Sequence, residues 1–289
     1  GYTMLFNAER TIGVTVPPRM SEDIARQAQQ FSAIPEGSCQ YSSNLLAKGD
    51  LSGVLARVRP MVGNIGSCPA VAMPSSHNAG DFGGFLINAP HEYALTEEQL
   101  LQRTDGHMDI NEVGEGAMVI VPVKVAQAGI YVGDVHAMMG DGEVAGHTTD
   151  VSAEVIIEVK VIKSLAIDGP IVLPCRENLP SIARPYTEEE KSEAARLAES
   201  YGFPIETDVY PFQVVGSGTD LNAATANGLT RMAALTGYSI AEVKNRATIT
   251  GDIQIGRLPG VVQVTMLTPS AVLEKLNLLD LYQEQYQGR

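Results

Sequence analysis

The chain has 289 residues, 44% of them hydrophobic and 19% charged, with a formal net charge of −14. That length supports one large domain or two small ones, and that composition excludes a disordered polymer. The single-sign acidic balance argues against partners that are themselves polyanions, nucleic acid and anionic membrane alike.

In chain order, Thr11 to Val16 alternates as a strand and is closed by Pro17-Pro18. Ser21 to Ser32 reads as a helix, with Ser21 as cap and Ile24, Ala25, Ala28 and Phe31 at helical spacing. Residues 33–50 are turn-rich, Leu51 to Val62 has strand character, and Gly63 to Ala70 reads as a Gly/Pro loop. A second glycine-rich loop, Pro74 to Gly84, carries His77, Asn78 and Asp81. Leu95 to Arg103 reads as a short helix capped by Thr96. Met118 to Val125, Val151 to Ile162, Ile171 to Leu173 and Val261 to Leu267 read as strands. Thr187 opens a helix to Tyr201 through a capping box with Glu190, and Thr219 to Leu235 forms a longer helix ended by Gly237. Ser239 caps a short helix to Ala247, and Ser270 to Gln285 forms a closing helix. With 28 glycines and 16 prolines, the expected class is α+β and β-rich, sandwich- or barrel-like sheets with a few peripheral helices. We expect one domain over 1–289, with residues 187–289 as a helical subregion.

The stretch Gly133 to Gly146 concentrates the chemistry, because Asp134, His136, Asp141 and Glu143 can bind metal or move protons. Asp134 and His136 are two apart, as are Asp141 and Glu143, so on extended backbone each pair shares a face. Asp141-Gly142 is a favoured hairpin pair that would fold the second acidic pair back towards the first. His107 and Asp109 repeat the spacing and would form a second jaw. Crowded carboxylates raise one another's pKa unless a cation compensates, and an Asp/His/Glu shell suits zinc or a similar divalent ion. A solvated glycine-rich hairpin is the competing reading of the same residues.

Cys39, Cys68 and Cys175 are too few and too scattered for a disulfide framework or a zinc ribbon, which points to a reducing, cytoplasmic setting. Cys68, in a Gly-Ser-Cys-Pro turn, is a candidate nucleophile or a small buried filler. No apolar run reaches the roughly 18 residues of a membrane span, and no basic-then-apolar signal pattern opens the sequence.

The run GDVHAMMGDGEVAG at 133–146 resembles the signature of the acetamidase/formamidase family. GHMDINEVGEGAMVIVPVKV, GNIGSCP and AATANGLTRMAALTGYSIAEVKNRATITGDIQIGRL are similar to further segments of that family. The resemblance implies a β-rich α+β fold, a homo-oligomer (dimer or larger), and hydrolysis of short linear amides to a carboxylate and ammonia. It also implies a divalent metal, zinc foremost with calcium as a candidate second ion. Carried over by motif position, Asp109, Asp134, His136, Asp141 and Glu143 belong to the site. Here the family's His-Gly-Gly-Asn-Met-Asp reads Thr104-Asp105-Gly106-His107-Met108-Asp109, and Met139 replaces its glutamine. The echo of the displaced motif in PSSHNAGD makes His77 the candidate for the missing imidazole. The expectation is metal held among His107, Asp109, Asp134 and His136, with Glu143, Asp141 and His77 as the catalytic set. A non-catalytic metal- or ligand-binding homologue is the alternative, and a Cys68 hydrolase a third reading.

Overall fold

The computed structural model describes residues 58–70, 96–144, 148, 150–151, 153–258 and 260–287, together with the backbone of the strands that precede them. In chain order these strands are β1 (Thr3–Phe6), β2 (Thr11–Thr15), β3 (Ser38–Tyr41), β4 (Asn44–Leu46) and β5 (Leu55–Arg57). Then come β6 (Met61–Ser67), α1 (Glu97–Leu100), β7 (Met118–Ile120), β8 (Ile130–His136), β9 (Ile171–Leu173), α2 (Glu188–Tyr201) and β10 (Val209–Ser217). α3 (Leu221–Thr236), α4 (Ile240–Thr250), β11 (Ile253–Ile255), β12 (Val261–Pro269), α5 (Ser270–Lys275) and α6 (Leu279–Tyr286) complete the chain. The architecture is mixed α+β with sheets dominating.

The centre is an antiparallel sheet in the order β11-β12-β10-β9-β7. β10 and β12 pair along their whole length, from Val209 opposite Pro269 to Ser217 opposite Val261. One face carries Phe212, Val214, Val262, Val264 and Met266, packed with Ala224, Leu229 and Met232 of α3, Val243 and Ala247 of α4, and Leu273 and Tyr282 of the closing helices. The other face presents Val172, Val215 and Val261 to Met108, Ile110 and Val113. That second face seats the segment carrying His107 and Asp109.

The helices follow their caps. Thr187 and Glu190 make the reciprocal box at the start of α2, which ends at Gly202 in the left-handed region with φ +69°. Asp220 caps α3 by accepting from Ala223 N, and Gly237 ends it at φ +76°. The closing helix breaks in two, because Asn277 turns left-handed at φ +56° and ends α5.

Two expectations need correction. Gly63 to Ser67 belongs to a strand, since β6 runs antiparallel to β8 and pairs Met61 with His136 and Ser67 with Ile130. Its glycines admit close neighbours: a Cβ on Gly63 would stand 2.4 Å from Asp109 Oδ1 and 2.7 Å from Asp134 Oδ2. Val151 to Ile162 is not a regular strand among the described residues. It engages β8 through Val151 N to Val135 O (2.8 Å) and the Asp150–His136 bridge, while Ile156 and Val161 stand 90% and 81% exposed. Alternation says which side chains share a face, but it does not bring a second strand into register alongside. The expected helix at 21–32 lies outside the described residues.

Candidate metal centre

Three pieces of backbone deliver the polar side chains. β8 brings Asp134 and His136. The irregular arm 104–113 lies along the far edge of β6, where Met108 N and Asp109 N both donate to Gly63 O at 2.9 and 3.0 Å and Ile65 N donates to Gly106 O at 2.9 Å. The β11–β12 turn closes over the arm, with Arg257 N donating to Met108 O at 2.9 Å. Gly256 permits that closure, because a Cβ there would meet Met108 O at 2.3 Å.

Asp105, Asp109 and Asp134 all adopt positive φ, at 57°, 47° and 59°. Asp tolerates this region better than most residues but at a cost, and such positions cluster where surrounding structure holds a functional geometry. Asp134 and His136 therefore reach the same space although the kink at Asp134 interrupts the regular strand alternation.

The result is a buried knot of acids and imidazoles. His107 Nε2 lies 3.0 Å from Asp134 Oδ2 and 3.5 Å from Asp109 Oδ2. His136 Nε2 lies 3.4 Å from Asp134 Oδ1, 3.5 Å from Asp150 Oδ1, and 4.0 Å from both Asp109 Oδ1 and Glu143 Oε1. Arg257 Nη1 stands 3.0 Å from His107 Nε2 and donates to Asp109 Oδ2 and Glu143 Oε2, each at 3.0 Å. Asp109 and His136 are fully buried and Glu143 is nearly so.

The electrostatics follow from burial and crowding. Desolvation pushes Asp109 up to about 7, opposed by the charge of His107 and aided by Glu143 and Asp134. Desolvation likewise pushes Asp150 up to about 7, with His136 opposing and Asp134 and Asp109 adding to the shift. Burial also works to raise Asp134, but its close contacts with His107 and His136, and their charge, hold it well below the usual carboxylate range. Burial alone would lower His136, yet Asp134, Asp109 and Asp150 raise it to about 9. Glu143 is raised by desolvation, against Arg257 and His136.

These residues fit a divalent cation. His107, Asp109 and Asp134 form one donor set and Asp134, His136 and Asp150 a second, each with ligand atoms within 4.8 Å of one another. Bonds of roughly 2.0–2.2 Å to a tetrahedral ion place neighbouring donors roughly 3.3–3.6 Å apart. The 3.4 and 3.5 Å contacts of His136 Nε2 match that spacing. Asp109 Oδ1, Asp150 Oδ1 and His136 Nε2 are buried without hydrogen-bond partners. Four carboxylates face one guanidinium and two imidazoles, so an added positive charge is what the arrangement lacks.

Of the expected site residues, His107, Asp109, Asp134, His136 and Glu143 converge here. Asp141 points outward and accepts from Asn111 Nδ2 at 2.7 Å, so it ties its loop to the arm. His77 lies outside the described residues. Asp150 and Arg257 join the knot without having been singled out from the sequence. Thr104, which stands where the motif has His, donates to Ser67 O at 3.0 Å.

The sequence matches the Acetamidase/Formamidase family over residues 1–104 and 100–275. A candidate formamidase of Schizosaccharomyces pombe is 32% identical over 74 residues, 24% of this chain and 18% of that protein. The fold is similar to that of a recombinant predicted acetamidase/formamidase from Thermoanaerobacter tengcongensis, with a TM-score of 0.52 at 24% identity, covering 83% of this chain and 62% of that one. An acetamidase from Bacillus halodurans matches with a TM-score of 0.49 at 21% identity, over 83% of this chain and 63% of that one. The chain thus spans less than two thirds of the length of these relatives. On the extent of the sequence match, the chain belongs to the acetamidase/formamidase family.

Proposed function

We propose that the chain hydrolyses small linear amides, of the formamide or acetamide kind, with a divalent metal, zinc foremost, and releases ammonia. The observation that carries this reading is the pair of donor sets sharing Asp134, with Glu143 buried beside them. His107, Asp109 and Asp134 would hold one ion, and His136 and Asp150 would complete the second position with Asp134. A divalent ion bound there supplies Lewis acidity towards a carbonyl oxygen or a water molecule.

The remaining chemistry belongs to the side chains. Glu143 takes the proton of the attacking water and returns it to the leaving nitrogen, which cannot depart as an amide anion. Its raised pKa suits both transfers, because a carboxylate more basic than usual accepts a proton more readily near neutrality. Arg257 donates to Glu143 Oε2 and so keeps its other oxygen, Oε1, turned towards His136. Asp141 acts indirectly, by holding Asn111 and with it the arm. His77 is carried as a candidate imidazole on the motif alone.

The family resemblance supports a homo-oligomer acting on a small amide, and the sparse, scattered cysteines support a reducing, cytoplasmic setting. Among the described residues no helix is long and apolar enough to cross a membrane.

Metal analysis of the purified protein, coupled to ammonia release over a panel of short amides, tests the proposal. Glu143→Gln should keep the metal and lose turnover, and unchanged kinetics would remove Glu143 from the mechanism. One observation favours a second reading, a metal-binding homologue without turnover: the Arg257 guanidinium pairs with Glu143 at 3.0 Å, which makes that carboxylate a weaker base. Metal bound with silence across the panel would select it.

A further inference from the structure

We infer that Glu112 is a positioning residue for the arm carrying His107 and Asp109, acting through a carboxylate clamp on two glutamines of the central sheet. The inference rests on the metal reading above.

The arm has no regular secondary structure between Asp105 and Val113, and it passes through positive φ at Asp105 and Asp109. Such backbone holds its course only where side chains over-determine it. Upstream of the ligands, the arm is tied down by Asp105, whose Oδ1 meets Arg103 Nε at 2.9 Å and whose Oδ2 meets Arg231 Nη2 at 2.7 Å. Downstream, three residues past Asp109, Glu112 is fully buried. Its Oε2 accepts from Gln213 Nε2 at 2.7 Å and from Gln263 Nε2 at 2.6 Å.

Those glutamines sit on β10 and β12, the two longest strands, which pair antiparallel over nine positions. Each has a further partner: Gln213 Nε2 reaches Thr265 Oγ1 at 3.3 Å and Gln263 Nε2 donates to Gln254 Oε1 at 2.9 Å. The clamp therefore ties the arm to the longest paired stretch of the sheet.

Stability alone does not call for an ionisable group there. Around the arm, Met108, Ile110, Val113, Val172, Val215 and Val261 form an apolar cluster. Apolar side chains of similar volume in place of the whole clamp, Glu112 with both glutamines, would often be as stable. What the carboxylate adds is direction, since one oxygen receiving two fixed donors sets the register of the arm. Partners hydrogen-bonded directly to ligands commonly change metal affinity by about 10- to 100-fold when removed, and the lower end is the scale for a clamp that acts through the backbone.

The experiment is competitive zinc titration against a chromogenic chelator on the full chain, with no substrate present. Glu112→Leu should weaken zinc binding about tenfold or more. Glu112→Gln keeps an oxygen that can accept from the two amides and should retain most of the affinity. In a background carrying both His107→Ala and Asp109→Asn the leucine substitution should add little, because both ligands on the arm are already lost. In an Asp150→Asn background it should keep its full effect, because Asp150 comes from a different segment. Gln263→Met, which removes one of the two donors, should weaken binding in the same direction and stands in if Glu112→Leu does not fold. Wild-type affinity in Glu112→Leu and Gln263→Met, or an equal loss in both backgrounds, overturns the inference and leaves the metal reading intact. A wild-type protein that takes up no zinc overturns both.

Discussion

The charge of Glu112 should make the fold pay at neutral pH, and the amount can be worked out. Burial pushes its carboxyl from an ordinary 4.5 up to about 7, against hydrogen bonds from Gln263, Gln213 and Gln254 that favour the ionised form. Between those two values the folded chain keeps a proton that the unfolded chain has released, so stability falls as pH rises through that window. The whole difference is worth about 3 kcal/mol, of which about 2.5 kcal/mol falls between pH 5 and pH 8. Glu112→Gln removes the titration and keeps the shape. Urea denaturation of both proteins in chelator, at steps across that range, should show the variant gaining about 2.5 kcal/mol on the wild type. Asp109 and Asp150, also raised to about 7, tilt both curves alike and cancel in the difference. Chelator is needed because a bound ion adds its own pH-dependent stabilisation. Parallel curves would refute the reasoning, since they would mean the carboxyl titrates alike in the folded and unfolded chain.

Three further outcomes are expected. Arg257→Met strips the counter-charge from Asp109 and Glu143 and should cost roughly 3–5 kcal/mol in chelator by chemical denaturation, with zinc recovering part of the loss. Gly63→Ala places a methyl group between Asp109 Oδ1 and Asp134 Oδ2. It should fold, as judged by circular dichroism, yet bind zinc far more weakly, and tight binding would move the ion elsewhere. Zinc at a hundred times its Kd should raise wild-type stability by about 2.7 kcal/mol over the chelated protein, read from denaturation midpoints, and no change would argue against a site formed only on folding.

Legibility tracked how local each cause was. Thr187 with Glu190, Gly237, and Ser239 act within a turn or two of their own helices, and the helix starts predicted at Thr187 and Ser239 and the end predicted at Gly237 are observed to within two residues. β10 was missed because Tyr210 to Ser217 is buried on both faces, so no alternation marks it, and it contains Pro211 and Gly216. The pair Asp134 and His136, and the pair His107 and Asp109, were visible as two-residue spacings, and the family signature drew attention to the same places. Asp150 carries no such mark, and Arg257 lies in a family-similar segment with nothing local to single it out. Each is brought to the knot by backbone contacts, Val151 N to Val135 O for one and Arg257 N to Met108 O for the other, made between segments far apart or separated by a loop.

The sequence by itself determined that the chain is a β-rich α+β protein of a recognisable family with an acidic, histidine-bearing loop. Caps, apolar runs and short motifs are properties of neighbouring residues, and they survive without knowledge of the fold. Only the tertiary structure decided which of those acids are removed from water. Glu143 and Asp141 are two residues apart, yet one is buried at 4% exposure beside Arg257 and the other faces solvent against Asn111. The physical reason is that the proton affinity of a carboxylate, and its hold on a cation, depend on the charges and the water around it, and those come from strands and turns more than a hundred residues away.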